Sequence, residues 1–405
     1  MQEEMMLNNT STVLSHDRYS RFGESFADVG VCRSTGIRIQ LCYQTFGRRD
    51  AVGGVVLLIM GIASPLLLWD TKFCECLASR GYYVIRFDNR DTGRSTFLTG
   101  RRVLPAKLST TFVEDEMEVW DTHYDAASSQ CGLGSLVDSA LLYPRLAFAS
   151  LVPGRHNLLR GVYTLEDMAR DSVGLLDALH ISKTHIVGMC MGGMIAQVMA
   201  VYHPTRVESL SLISTHSGSP QARWPALREA LALASFITYA TRKGFAVPLS
   251  LRGKNGRSMP SPKEIEELAH ALVNLIERFA SGSGASFPID RAACLIQMRR
   301  MLRRSSDFSG ALRQYVALLN AQDRLEGLRH VCVPTVILHG TADPIVPYFN
   351  GEELAALIPH AKLVSVTGLG HVLHPALRGR IVDALTTNMR QSRRGEQDPV
   401  TASKL

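Results

Sequence analysis

Hydrophobic positions along this chain fall into two alternating spacings, and the alternation predicts its elements. Residues 55–60, Val-Val-Leu-Leu-Ile-Met, are a continuous apolar, β-branched run that suits a central parallel strand buried on both faces. A helix is expected from about residue 71 to 80, then a strand over 82–88. Thr164 and Asp167 fit a capping box, which opens a helix leading to a short strand at 184–187. Residues 194–200 carry an apolar face at three- and four-residue spacing, and further strands are expected at 207–214 and in the runs beginning at 333 and 361. Strand and helix in turn imply an α/β fold, a mostly parallel sheet with helices on both faces.

Two stretches interrupt the alternation. Residues 97–161 are far longer than an ordinary connection and contain the acidic patch Glu114-Asp115-Glu116-Met117-Glu118, so an irregular insertion is expected there. Residues 217–330 show helical spacing at 226–239, 265–280 and 292–302, which predicts a helical cap over a site at the strand ends.

The candidate chemistry lies where predicted strands end. Gly188-Met189-Cys190-Met191-Gly192-Gly193 reads as a strand-turn-helix nucleophile elbow, with glycines where side chains would collide with strand and helix. Asp343 sits in the Gly-containing loop after the 333 run, and His371 follows the Gly368-Leu369-Gly370 turn after the 361 run, delivered to the start of a helix. Taken singly, Asp343 is a turn residue beside Pro344 and His371 a helix-capping side chain. In the order nucleophile, acid, histidine, each after a strand, they read as a catalytic triad. His374 reads as structural and His339 as a strand-end residue.

The elbow, the loop His339-Gly340-Thr341-Ala342-Asp343-Pro344-Ile345-Val346-Pro347 and the turn at His371 resemble the α/β-hydrolase superfamily. Segments 82–95 and 163–179 narrow the resemblance to the esterase branch that includes aclacinomycin methylesterase-like and haloperoxidase-like hydrolases. It covers about residues 35–96, 162–216 and 330–388. It implies an oxyanion hole built from the backbone N–H groups of Ile62, where Met60 replaces a histidine common in that loop, and Met191. It also implies a layout in which 1–34 is an N-terminal extension, 35–216 and 331–390 form the catalytic domain with the insertion at 97–161, 217–330 is the cap, and 391–405 is a disordered tail. One departure stands out, since that branch carries serine at the position of Cys190. A cysteine there resembles dienelactone hydrolases and polyhydroxyalkanoate synthases instead.

With 405 residues, 46% of them hydrophobic, the chain can bury a large core without disulfides. Its eight cysteines are scattered, without metal-ligand spacing, and read as reduced thiols of an intracellular protein; no metal and no cofactor is implied. The acidic N-terminus lacks the regions of a secretory signal, and no apolar run is long enough to span a membrane. Ser403-Lys404-Leu405 matches the tripeptide read by the peroxisomal import receptor, which makes peroxisome or glycosome the expected location, with cytoplasm as the alternative.

Over residues 211–330 there are 17 Lys/Arg against 9 Asp/Glu, densest at Arg291, Arg299, Arg300, Arg303 and Arg304 on one predicted helix. That cluster is either a solvated face or an attraction for an anionic substrate such as the phosphates of coenzyme A. Arg90 and Asp91 are expected to hold the turn at 91–94 together by a side-chain network. No nucleic-acid motif or phosphate-cradling glycine loop is present. The expected function is a hydrolase cleaving a small-molecule ester, lactone or thioester through Cys190, His371 and Asp343 by way of an acyl-enzyme. The alternatives are an acyl-CoA-using acyltransferase and a non-catalytic ligand-binding relative.

Overall fold

The structure, a computed structural model, describes residues 23–98, 104–105, 159–226, 228–233, 235 and 261–397. One sheet contains β1 (Ser25–Val31), β2 (Arg38–Phe46), β3 (Val55–Ile59) and β4 (Tyr83–Phe87). Two short strands, β5 (Leu104–Pro105) and β6 (Leu159–Arg160), pair with each other apart from that sheet. The main sheet is completed by β7 (Thr184–Met189), β8 (Val207–Ile213), β9 (Thr335–Gly340) and β10 (Lys362–Val366). Its spatial order is β1-β2-β4-β3-β7-β8-β9-β10; β2 runs antiparallel to β1 and to β4, and every pairing from β4 to β10 is parallel.

The central strands explain their own sequences. Every residue of β7 and β9 is buried, as strands covered on both faces require. In β3, Leu57 and Ile59 point into one core while Val56 and Leu58 point into the other. The first core is closed by α2 (Leu165–Ala178), α3 (Met191–Tyr202) and α8 (Phe349–Leu357). The second is closed by α1 (Thr71–Ser79) and α9 (Arg378–Gln397). The capping box at the start of α2 is formed: Thr164 N–H donates to Asp167 Oδ2 at 2.9 Å, and Asp167 N–H to Thr164 Oγ1 at 3.3 Å.

Between β8 and β9 lie α4 (Pro262–Ala280), α5 (Arg291–Arg304), α6 (Ala311–Leu319) and α7 (Leu325–Arg329). The first two match the helices expected at 265–280 and 292–302; of the one expected at 226–239, residues 226, 228–233 and 235 are described, and all of these but 226 are helical. Leu268, Leu272, Met298, Met301 and Leu302 pack against Leu66 and Leu67 in the loop after β3, which fixes these helices above the strand ends.

The structure differs from the expected layout in three places. Strand β1 lies within residues 1–34 and pairs with β2, so the sheet begins ahead of the expected boundary at 35. Helix α9 continues through Gln397 into the stretch expected to be disordered, as the extension of a helix anchored by the buried Ile381, Val382, Leu385 and Met389. His371 stands in the loop after β10, ahead of a 3₁₀ turn at Pro375–Leu377 rather than at a helix start. The acidic patch at 114–118 and the tripeptide at 403–405 lie outside the described residues. Among the described residues, no helix is long and apolar enough to cross a membrane, and no three His, Cys, Asp or Glu side chains converge as a metal site.

Candidate active site

Cys190 occupies the turn between β7 and α3 with φ 54° and ψ −122°, a conformation that costs a non-glycine residue energy and is held only by its surroundings. Those surroundings are tight. A Cβ on Gly188 would lie 2.3 Å from the carbonyl oxygen of Gly192, one on Gly192 2.1 Å from that of Ile59, and one on Gly193 2.7 Å from the Thr215 side chain. The elbow glycines are therefore demanded by the approach of strand, helix and loop. The backbone of Cys190 is pinned as well, its N–H donating to Ile213 O at 3.0 Å and its carbonyl accepting from Thr215 Oγ1 at 2.8 Å.

The loops after β9 and β10 bring the other two predicted residues to this turn. Asp343 and His371 are buried, and His371 Nδ1 lies 2.8 Å from Asp343 Oδ2. The second carboxylate oxygen accepts the N–H groups of Ile345 at 2.9 Å and Val346 at 2.8 Å, so Asp343 cannot rotate away. The His371 imidazole also feels the Cys190 side chain, with which it lines one cavity. Its backbone N–H donates to Phe279 O at 2.9 Å, and the Phe279 ring meets the imidazole edge-on, which ties the histidine to α4.

The electrostatics follow from these contacts. Burial works against charge on His371, but the Asp343 carboxylate and the sulfur of Cys190 outweigh it and hold the imidazole well above the ordinary histidine range. Burial likewise opposes ionisation of Asp343, yet His371, His339 and the Val346 N–H keep its carboxyl below the usual aspartate value.

Ile62 and Met191, the predicted oxyanion donors, line the same cavity as Cys190 and His371. Neither backbone N–H has a hydrogen-bond partner among the described residues. The β3 loop abuts the thiol, since a Cβ on Gly61 would stand 3.1 Å from Cys190 Cβ and 3.6 Å from Sγ. Gln314 on α6 braces this loop: its Oε1 accepts the Ala63 N–H at 2.7 Å, while its Nε2 donates to Arg90 O at 2.7 Å and to Thr92 Oγ1 at 2.6 Å.

The remaining histidines sort themselves by contact. His374 accepts the Ala376 N–H and pairs with Pro288 O at 3.2 Å, consistent with a structural part. His339 is the last but one residue of β9, but it also stands 3.7 Å from Asp343 Oδ2, with Nε2 2.8 Å from Val346 O, so it backs the acid directly. His216 lines the cavity and was missed; its signal is its place just past the end of β8, where open α/β sheets put their ligands.

The turn after β4 is held by buried ion pairs that reach further than its own residues. Arg90 pairs bidentately with Asp171 on α2, both contacts 2.6 Å, and Asp91 with Arg313 on α6 at 2.7 and 2.8 Å. Three arginines of the predicted basic cluster are similarly engaged: Arg291 with Glu277, Arg299 with Glu266, and Arg304 with both Glu24 and Asp88. The Arg304 pairs are buried and those of Arg291 and Arg299 are exposed to solvent, but each charge is matched by a carboxylate of the chain, which weakens its pull on the phosphates of coenzyme A. All seven cysteines among the described residues are free.

The cavity has a volume of about 520 Å³ and a mainly apolar wall that includes Met194, Trp224, Leu272, Phe287, Met301 and Tyr315. Cys190 and Cys294, both partly buried, line it, and of the two Cys190 stands at the turn beside His371. A thiol that can pass its proton to a carboxylate-backed imidazole, beside two free backbone donors, is equipped for acyl transfer.

Residues 54–375 match the family model described as the α/β hydrolase fold. Rhodomycin D methylesterase DnrP of Streptomyces peucetius is 23% identical over 346 residues, 85% of this chain and 93% of the relative. The 3-oxoadipate enol-lactonase 2 of Acinetobacter baylyi is 25% identical over 232 residues, 56% of this chain and 72% of the relative. Among solved structures, a thermophilic esterase from Thermogutta terrifontis superposes with a TM-score of 0.53 at 19% identity, covering 91% of this chain and 99% of its own.

Proposed function

Because the chain belongs to the α/β-hydrolase family, we propose that it cleaves a carboxylic ester or lactone of an apolar small molecule through an acyl-enzyme on Cys190. The observation that carries the reading is the buried Asp343–His371 pair, 2.8 Å from Oδ2 to Nδ1, on the same cavity as the strained elbow residue Cys190, whose side chain acts on the imidazole. The named relatives, a methylesterase and an enol-lactonase, support ester and lactone bonds as the substrate class.

The chemistry proceeds in two stages. His371 takes the thiol proton, and the sulfur attacks the carbonyl carbon while the N–H groups of Ile62 and Met191 receive the negative charge that develops on its oxygen. Asp343 holds the imidazole in the orientation and tautomer this transfer needs and stabilises the imidazolium that results. Collapse of the tetrahedral intermediate expels the alcohol, protonated by His371, and leaves a thioester. Water, deprotonated by the same imidazole, then releases the acid and restores the thiol. A thiolate is a strong nucleophile, which suits the first stage. The helices between β8 and β9 select the acyl group, because they supply much of the apolar wall.

The test is hydrolysis of p-nitrophenyl acetate by the wild type and by Cys190→Ala, with and without prior iodoacetamide. The reading requires turnover that both the substitution and alkylation abolish; turnover that survives Cys190→Ala overturns it. For location, the Ser403-Lys404-Leu405 terminus supports peroxisomes or glycosomes. A fluorescent fusion at the N-terminus should colocalise with a matrix marker and disperse when the tripeptide is removed.

A further inference from the structure

Several polar side chains of the cavity wall are not used by the chemistry above, and His216 is the one held most firmly. His216 lines the cavity and is 8% exposed. Its main-chain carbonyl accepts from Gln197 Nε2 at 3.2 Å and Arg324 Nη2 at 3.0 Å, both buried side chains, and the Trp224 ring lies 5.5 Å from its own. The residue is thus locked in place from behind.

The ring's hydrogen bonding fixes what it offers forward. Nδ1 accepts the N–H of Gly218 at 3.1 Å. Burial, with Arg324 and His339 nearby, pushes the imidazole down to about 3, so the ring is neutral at physiological pH. A neutral imidazole carries a single N–H, and with Nδ1 accepting, that proton sits on Nε2. His339 Nδ1 is sealed off without a partner; His216 Nε2 has no protein partner among the described residues and is not sealed off.

We propose that His216 is a specificity-determining donor, its Nε2–H binding a second oxygen of the substrate, so that the preferred esters have an apolar acyl part bearing a keto or ether oxygen away from the scissile carbonyl. This rests on the reading of Cys190 as the nucleophile. A neutral N–H donor suits a neutral oxygen, which needs no counter-charge to be bound in a mainly apolar wall. The donor costs nothing to reorganise, because Gly218 and the bonds to the His216 carbonyl hold it in advance.

The probes are p-nitrophenyl hexanoate and its analogues with a keto oxygen at C3, C4 or C5. The wild type should favour at least one keto ester in kcat/KM by about fivefold, the scale of one net neutral hydrogen bond. The preference should fall to about one in His216→Leu and persist in His216→Gln, which keeps an N–H donor. An unchanged preference in His216→Leu overturns the proposal. Binding of the same esters to Cys190→Ala, measured by calorimetry, separates the two readings. A keto preference in binding without turnover by the wild type supports the donor while refuting the proposed hydrolysis; turnover without any keto preference refutes the donor alone. Should His216→Leu fail to fold, ¹⁵N-histidine spectra of Cys190→Ala decide: the Nε2 signal of His216 moves with the favoured keto ester and not with the plain one, and an unmoved signal contradicts the proposal.

Discussion

Asp343 and Asp88 occupy comparable places, each just beyond the C-terminal end of a sheet strand, each with its carboxylate fully buried. Asp88 accepts the N–H groups of Leu66 at 2.7 Å and Arg94 at 2.9 Å and pairs with Arg304 at 2.6 Å, joining the β3 loop, the following turn and α5. Asp343 accepts two N–H groups in the same manner but turns its remaining oxygen to His371. The difference in partner separates structure from chemistry. An arginine keeps its proton at any accessible pH, so the Asp88 pair only holds elements together; a histidine can give and take one, so the Asp343 pair can move charge. The two carboxyls also shift oppositely, since burial prevails at Asp88 despite Arg304, whereas His371 prevails over burial at Asp343.

The comparison is broken most strongly by Asp343→Asn. Loss of the group that orients the imidazole should lower kcat by about 10⁴-fold, read with p-nitrophenyl acetate on folded protein. Asp88→Asn should do the reverse. Removing one partner of a buried pair should cost about 3–5 kcal/mol in denaturant unfolding, while kcat of the molecules that stay folded changes little. If Asp88→Asn instead lowers kcat as Asp343→Asn does at undiminished stability, the division between the two sites is wrong.

Two smaller effects sharpen it. His216 is held neutral, so the unfolded chain takes up a proton that the folded one refuses until the pH falls to about 3. Its contribution to stability is complete above pH 6.5 and declines as pH falls through the window down to that value. At pH 5 the wild type should have lost about 2 kcal/mol relative to pH 8 through this residue, and His216→Gln should lack that part of the loss in matched unfolding curves. The smallest effect is expected on α5. Arg299→Gln breaks a pair exposed to solvent and should leave both the melting temperature and KM unchanged.

Much of this contrast was legible in the sequence, for reasons that can be traced to particular residues. The buried strands announced themselves as unbroken apolar runs, and Cys190, Asp343 and His371 were found because each follows one of those runs. Asp88 could not be told from Asp343 in the same way, because its meaning depends on Arg304, a partner 216 positions away on a helix whose arginines read as a free basic face. Helix α6 was missed although its side chains Arg313 and Gln314 are buried; polar residues that bond inward to Asp91 and Ala63 break the apolar spacing by which a helix is found. His216 was missed because a neutral histidine donor has no periodicity at all. Its role depends on a ring nitrogen and a turn at Gly218.

The central claim is that Cys190 carries the acyl group. Mixing the protein with p-nitrophenyl acetate, quenching in acid within the first turnovers and measuring the intact mass tests it most directly. The account predicts a single added acetyl group that maps to the peptide containing Cys190, decays as product acid appears, and is absent from Cys190→Ala. Acid released at the full rate with no label on that peptide would contradict it.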